Sequence, residues 1–260
     1  MPPALSSYPD LQGKVAVVTG GSRGIGAATC HLLAANGAAV VVNGRDGATI
    51  RAVVEAIRSS GGRAIGIAAD CTSCEAIDRM REQVRHELGP VDLFVGCVGG
   101  QGEYTPTAQI SEDQWHLVLD ANLTATFLPV KSFLPGMLER HTGSIITVAS
   151  SAGRYLVGVS ASSAAYAAAK AGVVMFSRRL AAEVAEYGIR VNCVAPGAVL
   201  TERVERQLSE AQQKDIAASV PLGRMGTPED VALAVLFLAS GSSSWLTGVT
   251  LDVAGGRVML

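Results

Sequence analysis

Charge is scarce in this sequence and aromatic rings are scarcer: 17% of the residues are charged and 5% are aromatic. Lys and Arg number 21 against 23 Asp and Glu, so no basic surplus exists to neutralise a phosphate backbone, and nucleic acid is not expected as a main partner. No linker and no internal repeat divides the 260 residues, of which 48% are hydrophobic, enough for one large core and too many for disorder. Residues 1–10 lack the basic and apolar regions of a signal peptide, and residues 1–12 read as a disordered or loosely packed tail before a single domain over 13–260. Without a secretion signal, the 5 cysteines suit a reducing cytoplasm and act mainly as small apolar groups. Cys71 and Cys74 form a lone Cys-x-x-Cys with no second pair or histidine cluster, so no metal is expected. Residues 231–251 carry no charge, yet Ser240-Gly241-Ser242-Ser243-Ser244 splits them into a helix and a strand, and no membrane span is expected.

What the chain does have is glycine, 29 residues of it, clustered after apolar runs where a backbone must turn tightly or approach a ligand. Short Val/Ile-rich runs at 14–19, 38–43, 63–69, 91–97, 144–149, 190–194 and 249–253 fit strands buried on both faces. Helix-forming stretches at 24–36, 48–60, 75–88, 112–140, 164–187 and 229–239 alternate with them. Pro129 and Pro135 predict a kink or break in the 112–140 stretch. The alternation predicts an α/β fold: a doubly wound, mostly parallel seven-stranded Rossmann sheet with helices on both faces and right-handed crossovers. The charged segment near 200–222, with Leu200, Val204 and Leu208 at helical spacing, reads as an exposed helical insertion, either a substrate lid or a plain solvated helix.

Thr19-Gly20-Gly21-Ser22-Arg23-Gly24-Ile25-Gly26 follows the first strand and opens a helix, the context a dinucleotide loop requires. Its glycines admit the pyrophosphate to the helix N-terminus, with Ser22, Arg23 and Ile25 beside it. After the second strand comes Asn43-Gly44-Arg45-Asp46. The position that would carry a ribose-binding acid is Gly44, while Arg45 and Arg23 suit a 2′-phosphate, so NADP(H) is expected over NAD(H); Asp46 is the counter-indication.

Tyr166-Ala167-Ala168-Ala169-Lys170 places a phenol and an ammonium on one helix face. Such a cation lowers a phenol's pKa toward useful proton transfer, although the same spacing also occurs between plain surface neighbours. With these motifs in order, the sequence from about residue 13 to 256 resembles the short-chain dehydrogenase/reductase family. The resemblance implies Ser150, Tyr166 and Lys170 as catalytic residues and Asn122, in Asp120-Ala121-Asn122-Leu123, as the residue holding a relay water. It also implies Gly20 to Gly26, Arg45, Asp70, Cys71, Gly99, Tyr166, Lys170, Pro196, Gly197, Val199 and Thr201 as cofactor contacts. The segment 223–230 and the closing Gly255-Gly256 are further marks of the family.

Two departures stand out. Gly96-Cys97-Val98-Gly99 replaces the family's usual Asn-Asn-Ala-Gly, and the 151–160 segment after Ser150 is longer than usual. Ser151 and Ser163 are rivals to Ser150, and Gly153 favours Ser150 by analogy. The sequence looks closest to the reductases of 3-oxoacyl chains on acyl carrier protein. Yet His141 and Tyr187 stand where those enzymes offer arginine to the carrier, with Arg140, Arg178 and Arg179 nearby. Expected substrates are therefore a small-molecule carbonyl or alcohol, free or acyl-carrier-bound: a 3-oxoacyl thioester or related ketone, or else a sterol, sugar or small secondary alcohol. A cofactor-sensing protein without turnover is the reading from another class. The family's habit and the small residues Ala164, Ala165, Ala167, Ala168, Ala169, Ala171 and Gly172 predict a homotetramer.

Overall fold

A computed structural model of the chain describes residues 7–156, 162–257 and 259. The seven strands are β1 (Val15–Thr19), β2 (Ala39–Gly44), β3 (Arg63–Ala68), β4 (Leu93–Gly96), β5 (Gly143–Val148), β6 (Ile189–Pro196) and β7 (Thr250–Val253). They form one sheet in the order β3-β2-β1-β4-β5-β6-β7, with every neighbouring pair parallel. The order reverses between β1 and β4, which opens a crevice at the carboxyl ends of the central strands. All of β1 and β4 is buried, as an all-parallel sheet covered on both faces demands.

One face packs under α1 (Gly24–Ala35), α2 (Gly47–Ser59) and α9 (Pro228–Ala239), where Leu33, Ile57 and Leu236 meet Val40, Val95 and Ile146. The other packs under α3 (Cys74–Glu87), α5 (Ala125–Arg140) and α6 (Ala164–Val184), where Met80, Met137 and Leu180 meet Val17, Phe94 and Ile145. Side-chain caps start these helices where the sequence supplies them. Asp46 caps α2 and Ser73 caps α3, while Thr227 and Asp230 form a capping box before α9, with Pro228 at its first position.

Two expectations need correction. Residues 8–12 are not a loose tail: Pro9–Leu11 forms a 3-10 turn, Leu11 is 1% exposed in the core, and the Tyr8 amide donates to Asn36 Oδ1 at 2.8 Å. The 112–140 stretch is irregular ahead of its prolines. It runs as α4 (Glu112–Leu119), a π-helical turn Asp120–Thr124, and then α5, which contains both Pro129 and Pro135. Side chains take up the carbonyls at that wide turn, Asn122 Nδ2 donating to Val118 O at 2.8 Å and Thr126 Oγ1 to Asn122 O at 2.7 Å. The insertion near 200–222 is helical and exposed as expected, as two short helices, α7 (Glu202–Gln207) and α8 (Glu210–Ala218), with no buried residue in either. Among the described residues, Glu112–Arg140 is the one helical stretch long and apolar enough to cross a membrane; here its inner side packs on the sheet through Val130, Phe133 and Met137.

Candidate active site

The turn after β1 is shaped to admit a dinucleotide. Gly20 has φ +66°, and a Cβ on Gly26 would overlap the Gly20 carbonyl oxygen, so the turn closes only with glycine at both places. This leaves the amides at the start of α1 open to an anion, which is the fit a pyrophosphate needs. At the adenosine end, a Cβ on Gly44 would lie 2.7 Å from Ser22 Oγ, so Ser22 fills the place of an acidic side chain. Arg23 is paired with Asp46 at 3.3 Å, and Asp46 also accepts from the Ala48 amide. Asp46 is thereby held by α2 and Arg23. Arg45 is exposed and carries no ion pair among the described residues. Asp70 accepts from the Thr72 amide and hydroxyl, bonds that hold its carboxyl below the usual range. The Cys71 thiol points away from this surface: it is buried, donates to Asn43 Oδ1 at 3.2 Å and is pushed up to about 12 by burial.

The second cluster lies at the same edge of the sheet. Ser150 follows β5 and caps a 3-10 turn, Ser151–Gly153, accepting from the Ala152 amide. Gly153 seats this turn on α6, since a Cβ there would come within 2.5 Å of the Lys170 and Ala171 backbone. The Ser150 hydroxyl stands close enough to the Tyr166 phenol to pull its pKa down. Of the rival serines, Ser151 is buried within the turn and Ser163 caps α6, accepting from the Tyr166 amide at 3.2 Å. Lys170 is 3% exposed, its Nζ lies 5.9 Å from the Tyr166 ring centroid and donates to Val148 O at 2.9 Å. Burial pulls its pKa down to about 8.

Asn122, fully buried, ties the π turn to the loop after β4: its Nδ2 donates to Gly100 O at 3.0 Å and its Oδ1 accepts from the Gly100 amide at 3.1 Å. A Cβ on Gly99 would lie 2.6 Å from Asn122 Oδ1 and 2.8 Å from Lys170 Nζ, so this glycine lets the amide and the ammonium share one space. One electrostatic expectation fails here. Burial raises the Tyr166 phenol above its ordinary value, and the groups that pull it down are Ser150, by hydrogen bond, and Arg203, by charge, in place of Lys170.

The remaining wall is built by β6, β7 and α7. Gly197 approaches the chain after β7, a Cβ there reaching 2.9 Å from Ala254 Cα. Val199 is bridged to Gly226, and Thr201 caps α7 while its Cγ2 lies 3.3 Å from the Cβ position of Gly24. Arg154 is held by a two-point ion pair with Asp252, 3.1 and 2.8 Å, both side chains largely buried. Residues 157–161 of the longer segment lie outside the described residues.

Residues 20–257 match the family model described as Enoyl-(Acyl carrier protein) reductase. The 3-oxoacyl-[acyl-carrier-protein] reductase FabG of Vibrio cholerae is 39% identical over 251 residues, covering 96% of this chain and all of that protein. This chain belongs to the short-chain dehydrogenase/reductase family. It is an oxidoreductase acting on CH–OH and C=O groups. Two solved structures from Brucella melitensis are also similar. A 3-oxoacyl-[acyl-carrier protein] reductase matches with TM-score 0.93 at 31% identity, covering 100% of this chain and 97% of its own. A second, with bound NAD, matches with TM-score 0.89 at 32% identity and the same two coverages.

Within this oxidoreductase, the substitution at Gly96-Cys97-Val98-Gly99 leaves a half-buried thiol whose pKa desolvation raises to about 12, against weaker opposing pulls from Lys170 and Thr29, which disfavours the thiolate. His141 and Tyr187 do meet, their ring centroids 5.5 Å apart, but at the amino ends of β5 and β6, the opposite edge of the sheet from Ser150. Sequence reasoning missed Asn43, whose amide joins Ile67 O and Ala69 O beneath the adenosine end, because a buried Asn in an apolar run has no spacing signature. It also missed the Arg154–Asp252 pair, whose partners are 98 residues apart.

Proposed function

We propose that this chain is a cytoplasmic NADP(H)-dependent ketoreductase whose substrate is a 3-oxoacyl thioester or a related ketone. The observation that carries this reading is the Tyr166 phenol set beside Ser150 and a buried Lys170, at the edge of the sheet where the glycine cradle opens. A bound nicotinamide supplies the hydride. The Ser150 hydroxyl and the Tyr166 phenol donate to the carbonyl oxygen and fix it. As the hydride reaches the carbonyl carbon, the Tyr166 proton passes to the oxygen; the C=O π bond breaks, C–H and O–H bonds form, and a phenolate remains. Lys170 steadies that phenolate and binds the cofactor ribose. Asn122 is a positioning residue: it clamps the Gly100 loop beside Lys170 and holds the water that returns the proton.

Arg45 is the group available to a 2′-phosphate, since Arg23 is engaged by Asp46. Arg45→Ala is expected to weaken NADPH binding about ten- to hundredfold, the range of charge-assisted hydrogen bonds, and to leave NADH binding unchanged. Fluorescence titration with both cofactors checks this, and tighter binding of NADH by the native chain would reverse the assignment.

The substrate class is tested by NADPH absorbance loss with a 3-oxoacyl thioester, a panel of plain ketones and a 2-enoyl thioester. Turnover of the 3-oxoacyl thioester supports the reading, turnover of plain ketones alone moves the enzyme to the sterol, sugar or secondary-alcohol class, and turnover of the enoyl thioester replaces carbonyl chemistry with double-bond reduction. Coenzyme-A-bound and carrier-bound thioesters are compared next.

We further propose a homotetramer. Ala164, Ala168, Ala171 and Met175 form an exposed face of α6 at helical spacing, beside a groove lined by Leu123, Phe127 and Phe176. Leu222, Trp245 and Leu251 form a second exposed apolar set near the edge strand β7. Two self-complementary faces related by two-fold axes close a tetramer. Light scattering at micromolar concentration is expected to give four times the 26.7 kDa chain mass, and a monomer mass would refute it.

A further inference from the structure

Three of the arginines near the substrate wall and lid are spoken for. Arg154 is bound to Asp252, Arg224 to Asp230 and Arg206 to Glu202 O. Arg203 is different. It stands on α7, exposed, and pairs with no carboxylate among the described residues. Its guanidinium nonetheless reaches inward across the site: Nη1 lies 3.0 Å from the place a Cβ on Gly100 would occupy, over the loop that Asn122 clamps. Glycine at 100 is what makes room for it. From there its charge is felt by the Tyr166 phenol. A planar fork of donors, unpaired, beside the proton-donating tyrosine is suited to a planar anion brought in with the substrate.

We infer that Arg203 is a specificity-determining residue that binds a carboxylate carried by the substrate close to its reacting carbonyl. The preferred substrate is then an oxo acid, or a 3-oxoacyl thioester whose acyl chain bears a free carboxylate, in place of a purely hydrocarbon chain. This deepens the ketoreductase reading and rests on it for the chemistry, while the anion preference rests on Arg203 alone.

The test uses two matched pairs with NADPH: the 3-oxobutanoyl and 3-oxoglutaryl thioesters of N-acetylcysteamine, and 2-pentanone with 4-oxopentanoate. The native enzyme is expected to favour the carboxylate member of at least one pair by about tenfold or more in kcat/KM. Arg203→Leu should erase that preference, lowering kcat/KM for the carboxylate member by at least about tenfold more than for the neutral one, and Arg203→Lys should restore part of it. Equal loss on both members would assign Arg203 to cofactor binding or folding and overturn the inference, as would a native preference for the neutral member. Calorimetry of glutarate binding to the NADP⁺ complex reads the same site without turnover. Binding at least tenfold weaker in Arg203→Leu supports the inference even where no ketone is reduced, an outcome that would defeat the reductase reading alone; no difference between the two proteins defeats the inference.

Discussion

Tyr166→Phe is expected to lower kcat by roughly 10² to 10⁴, the contribution of a positioned general acid, with NADPH affinity unchanged. The ring stays in place and fills the same space, so α6 and the Gly153 contact are not disturbed; only the hydroxyl and its proton are lost. Burial raises this phenol, which keeps the proton on it at neutral pH, as an acid that must donate requires. Stopped-flow turnover and a cofactor titration on the same preparation check both halves. Near-native turnover in the variant would remove Tyr166 from the reaction.

Lys170→Met is expected to abolish most turnover while making the cofactor-free protein more stable near pH 7. The two effects have one cause. Burial lowers Lys170 from 10.5 to about 8, which is about 3 kcal/mol of penalty on the charged form. The sign follows from the direction of the shift. Below pH 8 the group is charged in both states and the penalty is complete; between about 8 and 10.5 the unfolded chain binds more protons, so stability rises with pH; above that range the penalty is gone. Met removes it at all pH values but leaves Val148 O without its donor, a loss of about 1 kcal/mol or more, so a net gain of about 1–2 kcal/mol remains at pH 7. Urea midpoints at fixed protein concentration should show that gain at pH 7 and its disappearance near pH 10. A variant that is less stable than the native chain at pH 7 would contradict the buried charge.

Such a lysine is where local rules for a stable core and the needs of chemistry part company. It also marks what a sequence can and cannot disclose. The glycine turn after β1 and the Tyr166 and Lys170 pair are local: their chemistry depends on spacings of a few residues, and those are written along the chain. Strand positions were legible for the same reason, since each is a continuous apolar run between turn residues. The π turn at Asp120–Thr124 was not, because proline is a loud signal for a broken helix, whereas Asn122 and Thr126 bonding back to Val118 and Asn122 is a quiet one. Residues 8–12 were misjudged because the three prolines and several hydroxyls of residues 1–12 resemble a tail, and Leu11, the core residue among 8–12, is a single apolar position without a period. Arg203 reads as one more charge on a solvated helix until Gly100, far off in sequence, is seen beneath it.

The early turn around Leu11 bears on how the protein is made. Leu11 belongs to the same core as α1 and α9, and Asp10 accepts from the Gly241 amide at 2.7 Å, a contact across 231 positions of chain. Strands β3, β2, β1 and β4 neighbour one another and all precede residue 97, so half of the sheet has its partners early in synthesis. The outer side of that half does not: Leu32 and Leu33 of α1 are covered by the helix that begins at Pro228. A nascent chain thus carries a paired half-sheet with an oily uncovered helix for most of its time on the ribosome, until the last thirty or so residues, which begin with α9, are made.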